Sequence, residues 1–149
     1  MRVVDSVDNV PVLAVIGVTH NGFKTVLGLQ SGDNESASSW REFFKDLKQR
    51  GLNTDDVRLG VMDGLPGLES VFKEEFTHAK TQRCQVHVAR NVLAKVPKKL
   101  KKEVGDETRS IFYASSKKKA QQFFRDFEKK RQHVLPSAVN VSETLWIPA

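Results

Sequence analysis

The chain has 149 residues, 39% hydrophobic and 28% charged, the size and composition of one soluble domain. Its longest apolar run, Val10 to Val18, is far shorter than the roughly 20 residues a spanning helix needs. No leader peptide opens the chain, and the lone Cys84 excludes an internal disulfide, so a cytoplasmic protein is expected. Charge is uneven: residues 1–75 carry 8 basic and 12 acidic side chains, residues 76–149 carry 16 and 6. That asymmetry predicts a polyanion partner for the second half, with a solvated helical face as the plainer alternative.

Val10–Val18 (VPVLAVIGV) is β-branched and reads as a buried strand, with Pro11 at its start or at a bulge because proline cannot donate to a ladder. Asn21-Gly22 suits a tight turn with positive φ at both central positions, and Phe23 to Leu29 returns as the second strand of a hairpin. Trp40, Phe43, Phe44 and Leu47 form one helical stripe. Asn34 to Ser39 offers N-cap residues before it, Lys48 and Arg50 suit its C-terminal dipole, and Gly51 suits its C′ position.

Val57–Met62 reads as a strand ending at Asp63-Gly64, and Pro66 opens a helix with Leu68, Val71, Phe72 and Phe76 on its buried face. Thr81–Val86 reads as a strand and His87–Val96 as a helix. A hairpin followed by β-α-β units predicts an α/β fold, one mixed sheet with helices on its faces. Beyond Pro97 the pattern is helical: Leu100, Val104, Thr108 and Ile111, weakened at Gly105, then a helix capped by Ser116 with Ala120, Phe123, Phe124 and Phe127. Leu135 to Ala149 has two prolines and no period, and reads as an irregular tail.

Three features could carry chemistry. Asp63 follows a strand and precedes a glycine and a helix, facing the crevice where open α/β sheets bind ligands, and its hard oxygens suit a divalent metal. An Asp-Gly turn gives the same pattern, and a two-ion centre needs further acids. Cys84-Gln85-Val86-His87 is a C-x-x-H that could be half of a structural zinc site, or a buried thiol beside a hydrogen-bonded histidine. Lys95, Lys98, Lys99, Lys101 and Lys102, flanked by Arg83 and Arg90, form a basic run without aromatic interleaving, which favours phosphate contact over base stacking.

Val12–Val18 (VLAVIGV), Gly22–Gly28 (GFKTVLG), Glu35-Ser36, Val61-Met62-Asp63-Gly64, Arg83–Val88 (RCQVHV) and Arg90–Pro97 (RNVLAKVP) together resemble the Mutator-type transposases of bacterial insertion sequences. The match runs from about Met1 to about Val139. The resemblance implies an RNase H-like core in which Asp, Asp and Glu bind two Mg2+ ions. Water cleaves DNA at transposon ends, and the freed 3′-hydroxyl attacks target DNA. Asp63 matches the second Asp of that set and a Mg2+ ligand, and Cys84 and His87 match the family's C-x-x-H signature.

The departures are equally specific. The strand bearing the family's first Asp precedes the segment matching Met1–Val10, and Asp5 and Asp8 do not align with it. The third acid belongs to a Thr-Thr-Asn-x-x-Glu-like segment past the match, a context Glu143 lacks, and the sequence from Asn140 (NVSETLWIPA) departs from the family. The expectation is a transposase truncated at both ends: a partial RNase H-like core over 1–96, a basic helical segment over 97–135 and the tail over 136–149. With one acid of three it is expected to be catalytically incompetent alone. The alternative is a non-catalytic DNA-binding module or dominant-negative partner of full-length transposase, and the missing strand leaves an edge that invites self-association. A structural zinc protein built on Cys84 and His87 is the third reading.

Overall fold

A computed structural model of the chain describes residues 10–31 and 36–143. Asp5, Asp8, Glu35 and the last six residues lie outside them. The elements are β1 (Val12–Val18), β2 (Lys24–Ser31), α1 (Ala37–Gln49), β3 (Leu59–Met62), α2 (Pro66–Glu75), β4 (Lys80–Arg83), α3 (Gln85–Ala94), α4 (Lys101–Phe112), α5 (Lys117–Arg131) and α6 (Pro136–Glu143). Two compact units result. One runs to Gly60 and resumes from Gly64 to Lys80; the other takes Val61–Asp63 and continues from Thr81.

In the first unit β1 and β2 form an antiparallel ribbon, Val12 opposite Ser31 and Val18 opposite Lys24, with Pro11 just ahead of the ladder. The expected two-residue turn does not form. The Gly22 N–H donates to Thr19 O at 2.9 Å, the Thr19 N–H donates to Phe23 O at 2.9 Å, and only Gly22 has positive φ (82°). This is a three-residue loop in which glycine alone takes the left-handed conformation, so Asn21 is spared it. The register slips between Val15 and Ile16, leaving Leu27 as an extra residue of β2.

α1 is capped by the Ser36 side chain, which accepts from the Ser39 N–H, and buries Trp40, Phe43, Phe44 and Leu47 as their spacing requires. Phe43 sits where a Cβ on Gly28 would stand 2.7 Å from its ring, so glycine lets the helix seat against the ribbon. Phe44 meets Phe76 edge-on at 5.2 Å and Phe72 at 5.9 Å, joining α1 to α2. Each such buried aromatic contributes roughly 1.5–3 kcal/mol. Arg41–Glu74 and Lys48–Glu75, both 2.6 Å, close the rim of that contact. One face of the ribbon is covered by none of this: Val12, Ile16, Val18, Val26 and Leu29 are exposed.

The single mixed sheet expected from the sequence does not form among the described residues. β3 pairs with β4, and β1 with β2, as two separate two-stranded sheets. β3 and β4 are four residues each.

The second unit is helical. Val88, Val92, Val96, Val104, Ile111, Phe124, Phe127, Leu135, Ala138 and Val139 form one buried cluster. Ser116 caps α5 as expected, accepting from the Lys119 N–H at 3.2 Å. Phe123, expected on the buried stripe of α5, is instead 40% exposed; the stripe runs through Phe124, Phe127 and Arg131. The segment expected to be an irregular tail contains α6, whose Ala138, Val139 and Ser142 are buried. Eight residues starting at proline are too few to display a period, so tertiary packing decides them. Val86, expected to end a strand, lies in the first turn of α3, because the chain leaves the extended conformation at the N-cap Cys84.

Candidate functional site

The Lys80 N–H donates to Arg58 O at 2.9 Å and the Cys84 N–H donates to Met62 O at 2.7 Å, so β3 and β4 advance in the same direction. The second bond brings the end of β3 beside the end of β4. Asp63, the residue after Met62, is exposed there, and Gly64 (φ 86°) turns the chain away behind it. Cys84 is the N-cap of α3, half-buried, with His87 exposed in the first turn. The His87 side chain, then its backbone N–H, hold the Cys84 thiol below its ordinary range, against the upward push of burial. The carboxylate and the C-x-x-H therefore follow the ends of two neighbouring parallel strands.

The donor set here does not fit a pair of Mg2+ ions. Mg2+ demands near-octahedral oxygen ligands, and this strand end offers a carboxylate with a soft thiol and an imidazole. Among the described residues no group of three or more His, Cys, Asp or Glu side chains is arranged to hold a metal. The tetrahedral set a zinc site needs is equally incomplete there.

The basic residues fall on and between the helices of the second unit. Arg83 is half-buried at the end of β4, and Arg90 is exposed on α3. Lys95 caps α3, Lys98 and Lys99 occupy the 3-10 turn that follows, and Lys101 and Lys102 open α4, all five exposed. α5 likewise opens with Lys117, Lys118 and Lys119. A cation in the first turn of a helix opposes the macrodipole, at roughly 0.3–1 kcal/mol each. α5 carries that arrangement with no acidic residue in its first turn and α4 carries it against a single Glu103, and a local rule broken this way points to a function that needs the charge there.

An open cleft of about 430 Å³ runs between α3 and α4. Val86 and Leu93 face it from α3, Lys102, Asp106 and Arg109 from α4, and Tyr113 from the C-cap of α4. Those last four positions fall at i, i+4, i+7 and i+11, the spacing of one helical face. Tyr113 follows Ile111 and Phe112 and precedes Ala114, so nothing in the sequence sets it apart from a core residue; the spacing back to Lys102 is the signal that finds it.

Comparison with known proteins gives a consistent answer. The family model described as "Transposase, Mutator family" matches residues 1–147. A transposase for an insertion sequence element in a Staphylococcus aureus transposon is 37% identical over 65% of this chain and 24% of its own length. One from Lactococcus lactis subsp. lactis is 31% identical over 87% of this chain and 34% of its own. One from Acidithiobacillus ferrooxidans is 32% identical over 85% and 43%. The chain thus spans between 24% and 43% of the length of these relatives.

Proposed function

This chain belongs to the Mutator family of transposases, and on that premise we propose that it serves DNA transposition by holding DNA on the helices of its second unit. The observation that carries the reading is the repeated placement of lysines against the helix dipole at the starts of α4 and α5. Such lysines gain by neutralising DNA phosphates, which releases the counterions condensed on the DNA.

In this reading Asp63 supplies one carboxylate to an RNase H-like centre that cuts and joins DNA, and the first Asp and the Glu of that set have no counterpart in this sequence. Arg83, Arg90, Lys95, Lys98, Lys99, Lys101 and Lys102 position the DNA backbone. Cys84 and His87 fix the start of α3 beside Asp63. By itself the chain binds DNA and does not cut it. The exposed apolar face of the β1–β2 ribbon favours a second reading, in which the chain assembles with itself or with full-length transposase and inhibits it.

Anisotropy titration with labelled duplex DNA tests the first reading. Replacing Lys98, Lys99, Lys101 and Lys102 with Ala should flatten the plot of log affinity against log salt by about 0.9 for each phosphate no longer neutralised. An unchanged slope refutes it. In a strand-transfer assay with transposon-end DNA the chain alone should be silent; activity abolished by Asp63→Asn would overturn the claim of incompetence.

A further inference from the structure

We propose that the α3–α4 cleft is a binding site for unpaired DNA, in which a base stacks on Tyr113 while Arg109 and, about two turns nearer the start of α4, Lys101 and Lys102 hold phosphates of the same strand. The proposal rests on the DNA-binding reading above and goes further, since a run of lysines alone implies backbone contact with no interest in bases.

Three observations converge. Tyr113 is 83% exposed, and its part in ending α4 uses only the backbone, its N–H donating to Arg109 O at 3.0 Å. Nothing in the fold therefore requires an aromatic ring at that position, and an uncovered ring gains from any flat partner laid on it. The cleft is also mixed in character. Val86, 57% exposed, lies on its α3 side as uncovered apolar surface, while the cations stand on the α4 side.

The charge on the α4 face is ordered as well. Lys102 and Arg109 stand roughly 10 Å apart along the helix by its rise of 1.5 Å per residue. Asp106 lies between them on the same face and repels a phosphate at the middle of the cleft. The order along the face is cation, acid, cation, ring, so a strand lying along it sets phosphates at Lys102 and Arg109 and a base at Tyr113. A single strand with its bases splayed from its backbone meets that alternation. A duplex does not, because its base faces are already stacked.

The test uses the intact chain and three labelled probes: oligodeoxythymidylate, an abasic strand of the same length, and a duplex. Tyr113→Ala should weaken oligodeoxythymidylate binding by about 5- to 150-fold, the range for losing one stacked base. It should leave the abasic strand and the duplex unchanged, and Tyr113→Phe should bind all three like the parent. Asp106→Asn should tighten both single strands. If Tyr113→Ala binds oligodeoxythymidylate as well as the parent does, or weakens all three probes equally, the stacking site is overturned while duplex binding stands. If the parent binds none of the probes at low salt, the DNA-binding reading itself falls.

Discussion

The Arg131 guanidinium is only 7% exposed, and its charge is met by a fork on Glu107, Nε to Oε2 at 2.9 Å and Nη2 to Oε1 at 2.8 Å. Glu103 Oε1 lies 2.7 Å from the same Nη2, and Lys130 reaches both carboxylates at 2.6 and 2.7 Å. These contacts tie α4 to α5. Burial pushes the Glu107 carboxyl up, but the hydrogen bonds from Arg131 and Lys130 outweigh it and hold the carboxyl below its usual range. Glu107→Gln keeps the size and one acceptor oxygen while removing the charge that faces the buried cation. Breaking a buried pair costs about 3–5 kcal/mol when nothing compensates; with Glu103 still in place, about 2 kcal/mol is expected. Calorimetry at pH 7 should therefore show Tm lowered by about 4–8 °C. The pH dependence has a definite sign. A carboxyl whose folded pKa is depressed stabilises fully above its unfolded value, about 4.3, and that contribution is lost as pH falls through the folded value. The gap between parent and variant should thus stay constant above about pH 5 and close below about pH 4. No gap at neutrality, or one that widens in acid, would refute the reasoning.

Two glycines should answer the same substitution with opposite signs. A Cβ on Gly60 would stand 2.4 Å from the ring of the buried Phe72, so Gly60→Ala should lose about 1–3 kcal/mol in urea melts. A Cβ on Gly105 meets Leu93 at an ordinary 3.9 Å, so Gly105→Ala should gain up to about 1 kcal/mol from helix propensity. Cys84 should react with iodoacetamide at lower pH than an ordinary thiol, and His87→Ala should move the midpoint of that profile up toward the free value of about 8.5. An unmoved midpoint would show that His87 does not govern the thiol.

The elements most legible in the sequence are those whose side chains repeat often enough to declare a period. The stripe of Trp40, Phe43, Phe44 and Leu47 defines the face of α1, and Ser36 and Gly51 define its ends. Asp63 is readable as the residue after a strand, whereas the strand read through Cys84 runs on to Val86 in the sequence and stops at Arg83 in the structure. The closeness of Asp63 to Cys84 is not readable, because it rests on one backbone bond from Cys84 to Met62. α6 is hidden for the reason that makes it necessary: Ala138, Val139 and Ser142 are chosen by the surface they cover and not by their own pattern. Phe123 misleads because one aromatic looks like another on a helical wheel, and only the neighbouring helix decides which of Phe123 and Phe124 turns inward. Tyr113 is silent in the sequence because a groove belongs to two helices at once and to neither stretch of chain alone.

The seating of α6 against α3 has a consequence for how the protein comes into being. Val88 and Val92 are covered in part by Ala138 and Val139, some fifty positions later in the chain. A nascent polypeptide therefore emerges with these valines only partly covered until α6 has left the ribosome, while α1 and α2 already have each other. The second half matures late, and chaperone capture or degradation will fall on it first.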